Sequence, residues 1–132
     1  MIVNYKYDII PSVEAIIEVY ASAGLNRPLD DKERIAKMYA NSNLVVSAWH
    51  DDKLVGIARS LTDFCYCCYL SDLAVSEEYK KSGIGKRLIE LTQEKLGEQV
   101  MLLLLSAPGA MEYYPKVGFE KVANGFIIHR KN

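Results

Sequence analysis

The sequence has no long uninterrupted apolar stretch. The longest spans only residues 100–105, whereas a membrane-spanning helix needs about 20 apolar residues in a row. Residues 1–8 contain no basic region followed by an apolar one, so they do not predict a secretory signal peptide. The chain has 132 residues, 50% apolar and 25% charged, which is typical of a globular protein. We therefore expect a single domain over residues 1–132 and no membrane partner.

A net charge is nearly missing as well. Sixteen Lys and Arg residues oppose seventeen Asp and Glu residues, which leaves a net charge of −1. This balance argues against nucleic acid or a membrane surface as a partner bound through overall charge. It does not exclude a local basic patch, and one lies at residues 79–87.

Cysteine is scarce, and its three copies are clustered at Cys65, Cys67 and Cys68. An odd number in one cluster is a poor disulfide framework, which predicts a reducing, cytoplasmic compartment. In an extended segment Cys65 and Cys67 would face one way and Cys68 the other, and no second Cys or His pair stands at ligand spacing. We interpret the cluster as small apolar residues of a strand and expect no metal site.

The hydrophobic periodicity predicts a mixed α/β (α+β) sheet with helices covering both faces. Helices are predicted over residues 12–23, from a cap at Asp30 to about Asn41, over 83–97 and, as a short helix, over 110–117. Strands are predicted at 3–9, 44–50, 53–59, 67–75 and 100–105, the last buried on both faces, with a closing pair from 118 to 130 around Asn124-Gly125.

The strand at residues 67–75 has a clear alternation. Successive side chains of a strand point to opposite faces. We therefore expect two sets on opposite faces: Tyr69, Ser71, Leu73 and Val75 on one, and Leu70, Asp72 and Ala74 on the other.

The most informative stretch is Tyr79-Lys-Lys-Ser-Gly-Ile-Gly-Lys-Arg87, between a predicted strand and a predicted helix. Gly83 and Gly85 let a ligand approach the backbone closely because neither carries a Cβ. The free N–H groups and the dipole at the start of a helix favour an anion. Four Lys and Arg side chains add positive charge. The pattern predicts a phosphate-binding turn.

Two common phosphate motifs do not fit this stretch. A Walker A loop fails because Lys80 stands where its first glycine belongs and Arg87 stands where the magnesium-binding hydroxyl belongs. A dinucleotide-binding fingerprint needs a third glycine where the chain has Leu88. A diphosphate held by backbone amides without a metal remains. The alternative is a glycine-rich helix start with solvated lysines that binds nothing.

In context, residues 73–88 resemble the acetyl-CoA-binding segment of the GNAT (GCN-five-related) N-acetyltransferase superfamily. Its signature Arg/Gln-x-x-Gly-x-Gly/Ala aligns with Lys80, Gly83 and Gly85, and Lys80 replaces the usual Arg or Gln. Residues 110–119 resemble the family's later Ala-x-x-Phe-Tyr-x-Lys-x-Gly-Phe segment. Both motifs stand in family order and spacing, and the predicted order of elements agrees with the family fold.

The resemblance implies a single three-layer domain whose fourth and fifth strands, here 67–75 and 100–105, splay apart to admit acetyl-CoA as co-substrate. The backbone of Leu73 and Val75 would pair with the pantetheine arm, and the N–H of Leu73 would polarise the thioester carbonyl. The implied co-substrate-binding set is completed by Lys80, Lys81, Ser82, Gly83, Ile84, Gly85, Lys86 and Tyr114.

The implied reaction is acetyl transfer to a primary amine by direct attack, since no Cys–His pair suggests an acyl-enzyme. Tyr114 is the expected acid, because a phenol with a pKa of about 10 is protonated at neutral pH and close to a thiol in acidity. Its neighbour Tyr113 is expected to point elsewhere and to pack. The general base stays open between Asp63, Asp72, Glu112 and a water chain.

The resemblance implies that the acceptor is the amine of a small molecule or of a peptide. By resemblance, residues 25–28, Asp30, Asp31 and the turn around Asp63 would line its side of the site. The acidic residues suit a cationic amine, whereas Arg27 suits a carboxylate, so the acceptor's charge stays open. A non-catalytic acyl-CoA-binding sensor or regulator is the alternative function. Homodimers are common among similar proteins, so a homodimer is one expectation for the assembly.

Overall fold

The computed structural model describes residues 1–7 and 9–132, and a five-stranded sheet forms its centre. The strands are β1 (Asn4–Lys6), β2 (Leu44–His50), β3 (Lys53–Thr62), β4 (Cys67–Val75) and β5 (Met101–Leu103). They lie in chain order, antiparallel up to β4, and β5 is parallel to β4. The predicted strand at 3–9 is thus found over β1, and Asp8 lies outside the described residues.

Within residues 1–7 and 9–132, four α-helices accompany the sheet: α1 (Val13–Ala23), α2 (Lys32–Ala40), α3 (Ile84–Leu96) and α4 (Tyr113–Lys116). α1 and α2 pack on one face of the sheet and α3 on the other, each over its own apolar cluster. The predicted mixed α/β sheet with helices on both faces is confirmed.

The starts of the first two helices are set by side-chain caps. Ser12 Oγ accepts the N–H of Ala15 at 3.2 Å and begins α1. α2 begins at Asp31, whose Oδ1 accepts the N–H of Arg34 at 3.0 Å. The predicted cap at Asp30 is therefore wrong by one residue, because the carboxylate has to stand three positions before the N–H that it binds.

A bulge divides β4 into two halves. Leu70 and Asp72 pair with consecutive residues of β3, so Ser71 has no partner there. As a result Leu70 packs on the α3 side of the sheet, whereas Ala74 packs on the α1 side. The prediction that Leu70 shares a face with Asp72 and Ala74 is wrong, because an inserted residue reverses the alternation beyond it.

The C-terminal third differs most from the predictions. β5 has three residues, with Met101 exposed, so the predicted strand at 100–105, buried on both faces, is wrong in length and burial. The predicted helix over 110–117 consists of a 3₁₀ turn, Pro108–Ala110, and then α4. Residues 119–132 form no strand, so the predicted pair around Asn124-Gly125 is also wrong. A turn signal is local, whereas strands need a neighbouring edge to pair with.

Candidate active site

A cleft opens in the sheet where β4 and β5 part. They pair over Cys67–Met101, Cys68–Leu102 and Tyr69–Leu103 only, and the rest of β4 pairs with β3 alone. One edge of β4 is therefore open from Leu70 onward.

The backbone groups of Leu73 and Val75 point to this open edge. Ser76 donates its N–H to the carbonyl of Val55 in β3 at 2.9 Å. N–H groups alternate between the two edges of an extended strand, so those of Ala74 and Ser76 face β3, and those of Leu73 and Val75 face the cleft. An extended ligand in the cleft could pair with both residues as a missing strand would.

The start of α3 supplies free hydrogen-bond donors. Gly83, at φ +85°, precedes the helix in the left-handed conformation, and no side chain caps it. The first backbone bond of the helix runs from the N–H of Arg87 to the carbonyl of Gly83 at 3.0 Å. The N–H groups of residues 84–86 have no acceptor in the described part of the chain. They form the positive end of a thirteen-residue helix, which favours an anion.

Short-range bonds hold the turn that leads into α3. The hydroxyl of Ser82 donates to the carbonyl of Tyr79, and the N–H of Lys80 donates to the carbonyl of Glu77 at 3.2 Å. Lys81 adopts a positive φ of 66°. These hydrogen bonds lie within the turn, and residues 80–83 are exposed to solvent.

The lysines of this turn play different roles. Lys80 Nζ pairs with Glu77 Oε2 at 2.8 Å and lies 3.4 Å from the carbonyl of Ala23, so it connects the turn to the end of α1. Lys81 and Lys86 are exposed and form no ion pair with any described residue. The cations available to a bound anion are therefore Lys81 and Lys86, rather than the lysine that aligns with the family's Arg or Gln.

Tyr113 lies over the start of α3. A Cβ added to Gly85 would lie 2.8 Å from Tyr113 Oη and 3.8 Å from Val75 Cγ2. Tyr113 therefore packs, as predicted, and it does so over Gly85. Its hydroxyl takes the space that the missing side chain of Gly85 leaves, at the junction of α3 and the cleft.

Tyr114 is the more buried of the two tyrosines. It belongs to the apolar cluster under α3, and its ring meets that of Phe119 edge-on at a centroid distance of 5.5 Å. Burial, with a smaller effect of Tyr113, raises the pKa of Tyr114 above its ordinary value. The phenol is thus protonated at neutral pH, and its hydroxyl has no hydrogen-bond partner among the described residues. Its role as the acid stays a prediction.

Two of the three candidate carboxylates lie at the ends of local elements. Asp63 Oδ1 accepts the N–H groups of Tyr66 and Cys65 at 2.8 Å and of Cys67 at 3.1 Å. These bonds, with that from Tyr66 first, lower the pKa of Asp63 to about 2, so this carboxylate caps a turn and is a weak base. Glu112 is exposed immediately before α4.

Asp72 is buried in an ionic network that the sequence reading missed. Arg59 Nε lies 2.6 Å from Asp72 Oδ2, Arg27 Nε 2.6 Å from Oδ1, and the hydroxyl of Tyr20 donates to Oδ2 at 2.7 Å. Burial acts to raise the pKa of Asp72, but the bond and charge of Arg59 and the charge of Arg27 outweigh it, so the pKa is lowered. Asp72 is an ionised structural anion, and its two arginines are already paired. An aspartate among the apolar residues of the predicted strand 67–75 was the available signal.

A family model agrees with this geometry. The acetyltransferase (GNAT) domain model matches residues 18–128. The chain belongs to the GNAT acetyltransferase family. The resemblance seen in the sequence is thereby confirmed.

Relatives and solved structures are consistent with this GNAT assignment. An uncharacterised N-acetyltransferase from Pyropia yezoensis is 29% identical over 107 residues, 76% of this chain and 60% of that protein. A probable acetyltransferase from meticillin-resistant Staphylococcus aureus superposes with a TM-score of 0.83 at 24% identity, over 98% of this chain and 100% of the other. AAC(6′)-Iy, solved in complex with the bisubstrate analogue CoA-S-monomethyl-acetylneamine, gives a TM-score of 0.73 at 16% identity, over 100% of this chain and 99% of the other.

The GNAT chain spans at most 60% of the length of the curated relatives that it matches. Its three cysteines are free, Cys65 and Cys67 exposed and Cys68 buried. No helix within residues 1–7 and 9–132 is long and apolar enough to cross a membrane.

Proposed function

We propose that this GNAT domain binds acetyl-CoA in the cleft beside β4 and transfers its acetyl group to a primary amine. The observation that carries the proposal is the open edge of β4, which ends close to the free N–H groups at the start of α3. A ligand that fits both features is extended at one end and carries an anion at the other. The related fold of AAC(6′)-Iy, solved with a CoA-linked analogue, supports this choice.

The residues present suit the two parts of such a ligand. Backbone groups of Leu73 and Val75 would bind the amides of the pantetheine arm. The N–H groups of residues 81–86 would hold the diphosphate, since Gly85 has no Cβ and Lys81 and Lys86 are exposed cations. Ser82 and Lys80 would contribute through the turn that they brace, and Ile84 anchors the first turn of α3 in the core.

Acetyl-CoA supplies a thioester that an amine can attack without an acyl-enzyme. The N–H of Leu73 would orient the carbonyl oxygen, and one well-placed donor of this kind contributes about 3–4 kcal/mol. Tyr114 would hold the proton that the leaving thiolate needs, because burial keeps its phenol protonated.

The proton of the amine needs a different acceptor. Asp72 is paired with two arginines, and Asp63 is a weak base because three N–H groups bind it. Of the three carboxylates considered, Glu112 alone has neither kind of partner among the described residues. We therefore assign this role to Glu112 or to a water chain. The acceptor itself is the amine of a small molecule or a peptide.

Calorimetry with acetyl-CoA tests the first half of the proposal, and release of free thiol over a panel of amines tests the second. We expect saturable binding with one site, and thiol release that depends on an amine and rises towards pH 8 as the amine loses its proton. Absence of saturable binding would refute both acetyl transfer and the sensor alternative. Binding without thiol release for any amine would favour the sensor.

A further inference from the structure

A bulge interrupts β4 just before Leu73, whose N–H faces the cleft. Leu70 and Asp72 pair with consecutive residues of β3, and Ser71 between them is skipped. The extra residue of a bulge is left unpaired by the neighbouring strand, so its backbone is held less firmly than the rest of the strand. The N–H of Leu73 belongs to the peptide group that follows Asp72. Contacts that hold the bulge therefore also set the direction of this N–H.

Arg27 supplies such contacts from the loop between α1 and α2. Its Nη2 donates to the carbonyl of Ser71 at 2.7 Å, and its Nε donates to Oδ1 of Asp72 at 2.6 Å. Its Nη1 donates to the carbonyl of Asn26 at 2.7 Å, within the same loop. One planar group thus binds a backbone atom and a side-chain atom of two successive residues of β4. A guanidinium can do this because its donors have a fixed fork geometry.

Arg59 contacts the same two residues of β4 in a different way. Its Nε donates to Oδ2 of Asp72 at 2.6 Å, and its Nη2 donates to the hydroxyl of Ser71 at 2.9 Å. Both acceptors are side-chain atoms. The side chain of Arg59 is 8% exposed, whereas that of Arg27 is 27% exposed. Arg59 therefore belongs to the core, and Arg27 holds the backbone of the bulge from a partly exposed position.

We propose that Arg27 is a positioning residue for acetyl transfer, which fixes the bulge at Ser71 and thereby aims the N–H of Leu73. The inference rests on the proposed function, in which this N–H orients the carbonyl of the thioester. After the bulge the strand is held by β3, where Leu73 pairs with Ala58. The peptide group between Asp72 and Leu73 is thus held by Arg27 before it and by β3 after it.

Arg27 acts at the thioester end of the cleft and not at the diphosphate end. A Cβ added to Gly85 at the start of α3 would lie 3.8 Å from Val75 Cγ2, so the diphosphate end lies beside Val75. Arg27 binds residues 71 and 72 instead. A donor aimed at a developing oxyanion contributes about 10²–10³-fold to kcat, and a misplacement of about 1 Å can cost about 100-fold. Loss of Arg27 should therefore lower kcat and leave acetyl-CoA affinity nearly unchanged.

Arg27→Lys tests this split, with thiol release measured on the amine that the unaltered chain uses fastest and affinity measured by calorimetry. Lys keeps the charge, but one ammonium cannot reproduce the fork to Ser71 and Asp72. We expect kcat to fall about tenfold or more and the Kd of acetyl-CoA to change less than about twofold. An unchanged kcat, or a loss of acetyl-CoA affinity as large as the loss of kcat, would overturn the proposal.

Arg34→Lys is the matched control for this substitution. Arg34 lies in the first turn of α2, is exposed, and forms no ion pair with any described residue. Its backbone N–H, which Asp31 accepts, is the same in Lys. The control should keep the kcat and the acetyl-CoA affinity of the unaltered chain. A loss of kcat in the control equal to that in Arg27→Lys would overturn the proposal.

Arg27→Ala separates positioning from a general loss of structure. Asp72 keeps Arg59 and Tyr20 as partners, so this variant should fold. Because the side chain of Arg27 is partly exposed, a small cation can enter the space that Ala leaves. Millimolar guanidinium should restore part of kcat, and the same concentration of ammonium should not. Equal effects of the two cations would overturn the proposal, and Arg27→Lys remains the test if the Ala variant does not fold.

A measurement without ligand separates this inference from the proposed function. In the unliganded chain, the amide resonance of Leu73 should shift in Arg27→Ala and return when guanidinium, but not ammonium, is added. An amide resonance of Leu73 that is the same with and without Arg27 would overturn the role of Arg27 even where thiol release is normal. Absence of thiol release from the unaltered chain with every amine would instead refute the proposed function, and the role of Arg27 in it.

Discussion

Arg27 and Asp72 are 45 residues apart in the sequence and meet at 2.6 Å, Nε to Oδ1. A second guanidinium nitrogen of Arg27 donates to the carbonyl of Ser71 at 2.7 Å. The loop between α1 and α2 is thereby fixed to the bulge of β4. The next residue, Leu73, directs its N–H into the cleft, so the same network that anchors the loop also sets the backbone of the proposed reaction centre.

Replacing Asp72 by Asn should be strongly destabilising. Asn keeps the shape of the side chain but removes the anion, so buried Arg59 would keep its charge without a counter-ion. Breaking a buried ion pair in this way costs about 3–5 kcal/mol of the free energy of unfolding. Urea unfolding measures the change, and Asp52→Asn, in the exposed turn between β2 and β3, is the control, with an expected change within about 0.5 kcal/mol. Equal free energies of unfolding for the two variants would contradict the expected contribution of the ionic network to stability.

Stability should fall in acid through Asp63 and Asp72. Hydrogen bonds led by the N–H of Tyr66 lower the pKa of Asp63 to about 2, and the arginines lower that of Asp72. In the unfolded chain both pKa values lie near about 3.9. Because the pKa of each carboxylate is lower in the folded chain, its contribution to the stability of the folded chain is complete above the unfolded pKa. That contribution is lost as the pH falls through the folded pKa.

The free energy of unfolding should therefore decrease from about pH 4 towards pH 2. Asp63→Asn removes one titrating group and should make this decrease shallower, whereas above about pH 5 its pH dependence should match that of the unaltered chain. Urea unfolding across this range gives the slopes. If the slope of the variant below pH 4 equals that of the unaltered chain, Asp63 does not contribute as described.

Local signals in the sequence predicted the elements that depend on local structure. Ser12 and the apolar period after it gave α1, and Gly83 and Gly97 enclose α3 as expected. Helix periodicity and capping act over one or two turns, so a single sequence suffices to detect them.

The features that sequence reading missed depend on contacts between distant segments. The bulge at Ser71 results from the pairing of β3 with β4, and nothing in residues 67–75 alone requires it. The pairing of Asp72 with Arg27 and Arg59 joins three elements. Phe126 and Ile128 have the composition of a strand, but they lie in no strand and are almost fully exposed. Their local preference and their structure therefore differ.

Gly83→Ala should weaken acetyl-CoA binding while Gly24→Ala leaves it unchanged. Both glycines adopt a left-handed backbone, at φ +85° and +73°, and a Cβ at either would meet no atom within 4 Å. Each substitution should thus cost a similar strain of about 1–2 kcal/mol. Only the methyl group at residue 83 would stand where the diphosphate approaches the backbone. Thermal unfolding compares the strain, and calorimetry compares the affinities. Equal affinities would argue that the turn is not the diphosphate site.

Gly85→Ala should disturb Tyr113, and Tyr113→Phe should relieve the disturbance. The new Cβ would lie 2.8 Å from the hydroxyl but 3.7 Å from Cζ, so loss of the hydroxyl turns an overlap into an ordinary contact. We expect Gly85→Ala to lower stability and acetyl-CoA affinity, and the double variant to recover the stability. Contacting residues give interaction energies of about 0.5–3 kcal/mol in such a cycle. A purely additive cycle would show that Tyr113 does not occupy this space in solution.

Tyr114→Phe should lower kcat by about 100-fold or more while acetyl-CoA affinity changes little, since general acid catalysis contributes on that scale. Tyr113→Phe is the matched comparison, because it removes the neighbouring hydroxyl from the same helix. Burial raises the pKa of Tyr114, so the rate of the unaltered chain should not decline up to about pH 10, the ordinary value for a phenol. A decline in rate below that pH, or a larger loss of kcat in Tyr113→Phe, would show that Tyr114 is not the acid. In the second case the hydroxyl over Gly85 would become the proton donor, because it already lies at the junction of α3 and the cleft.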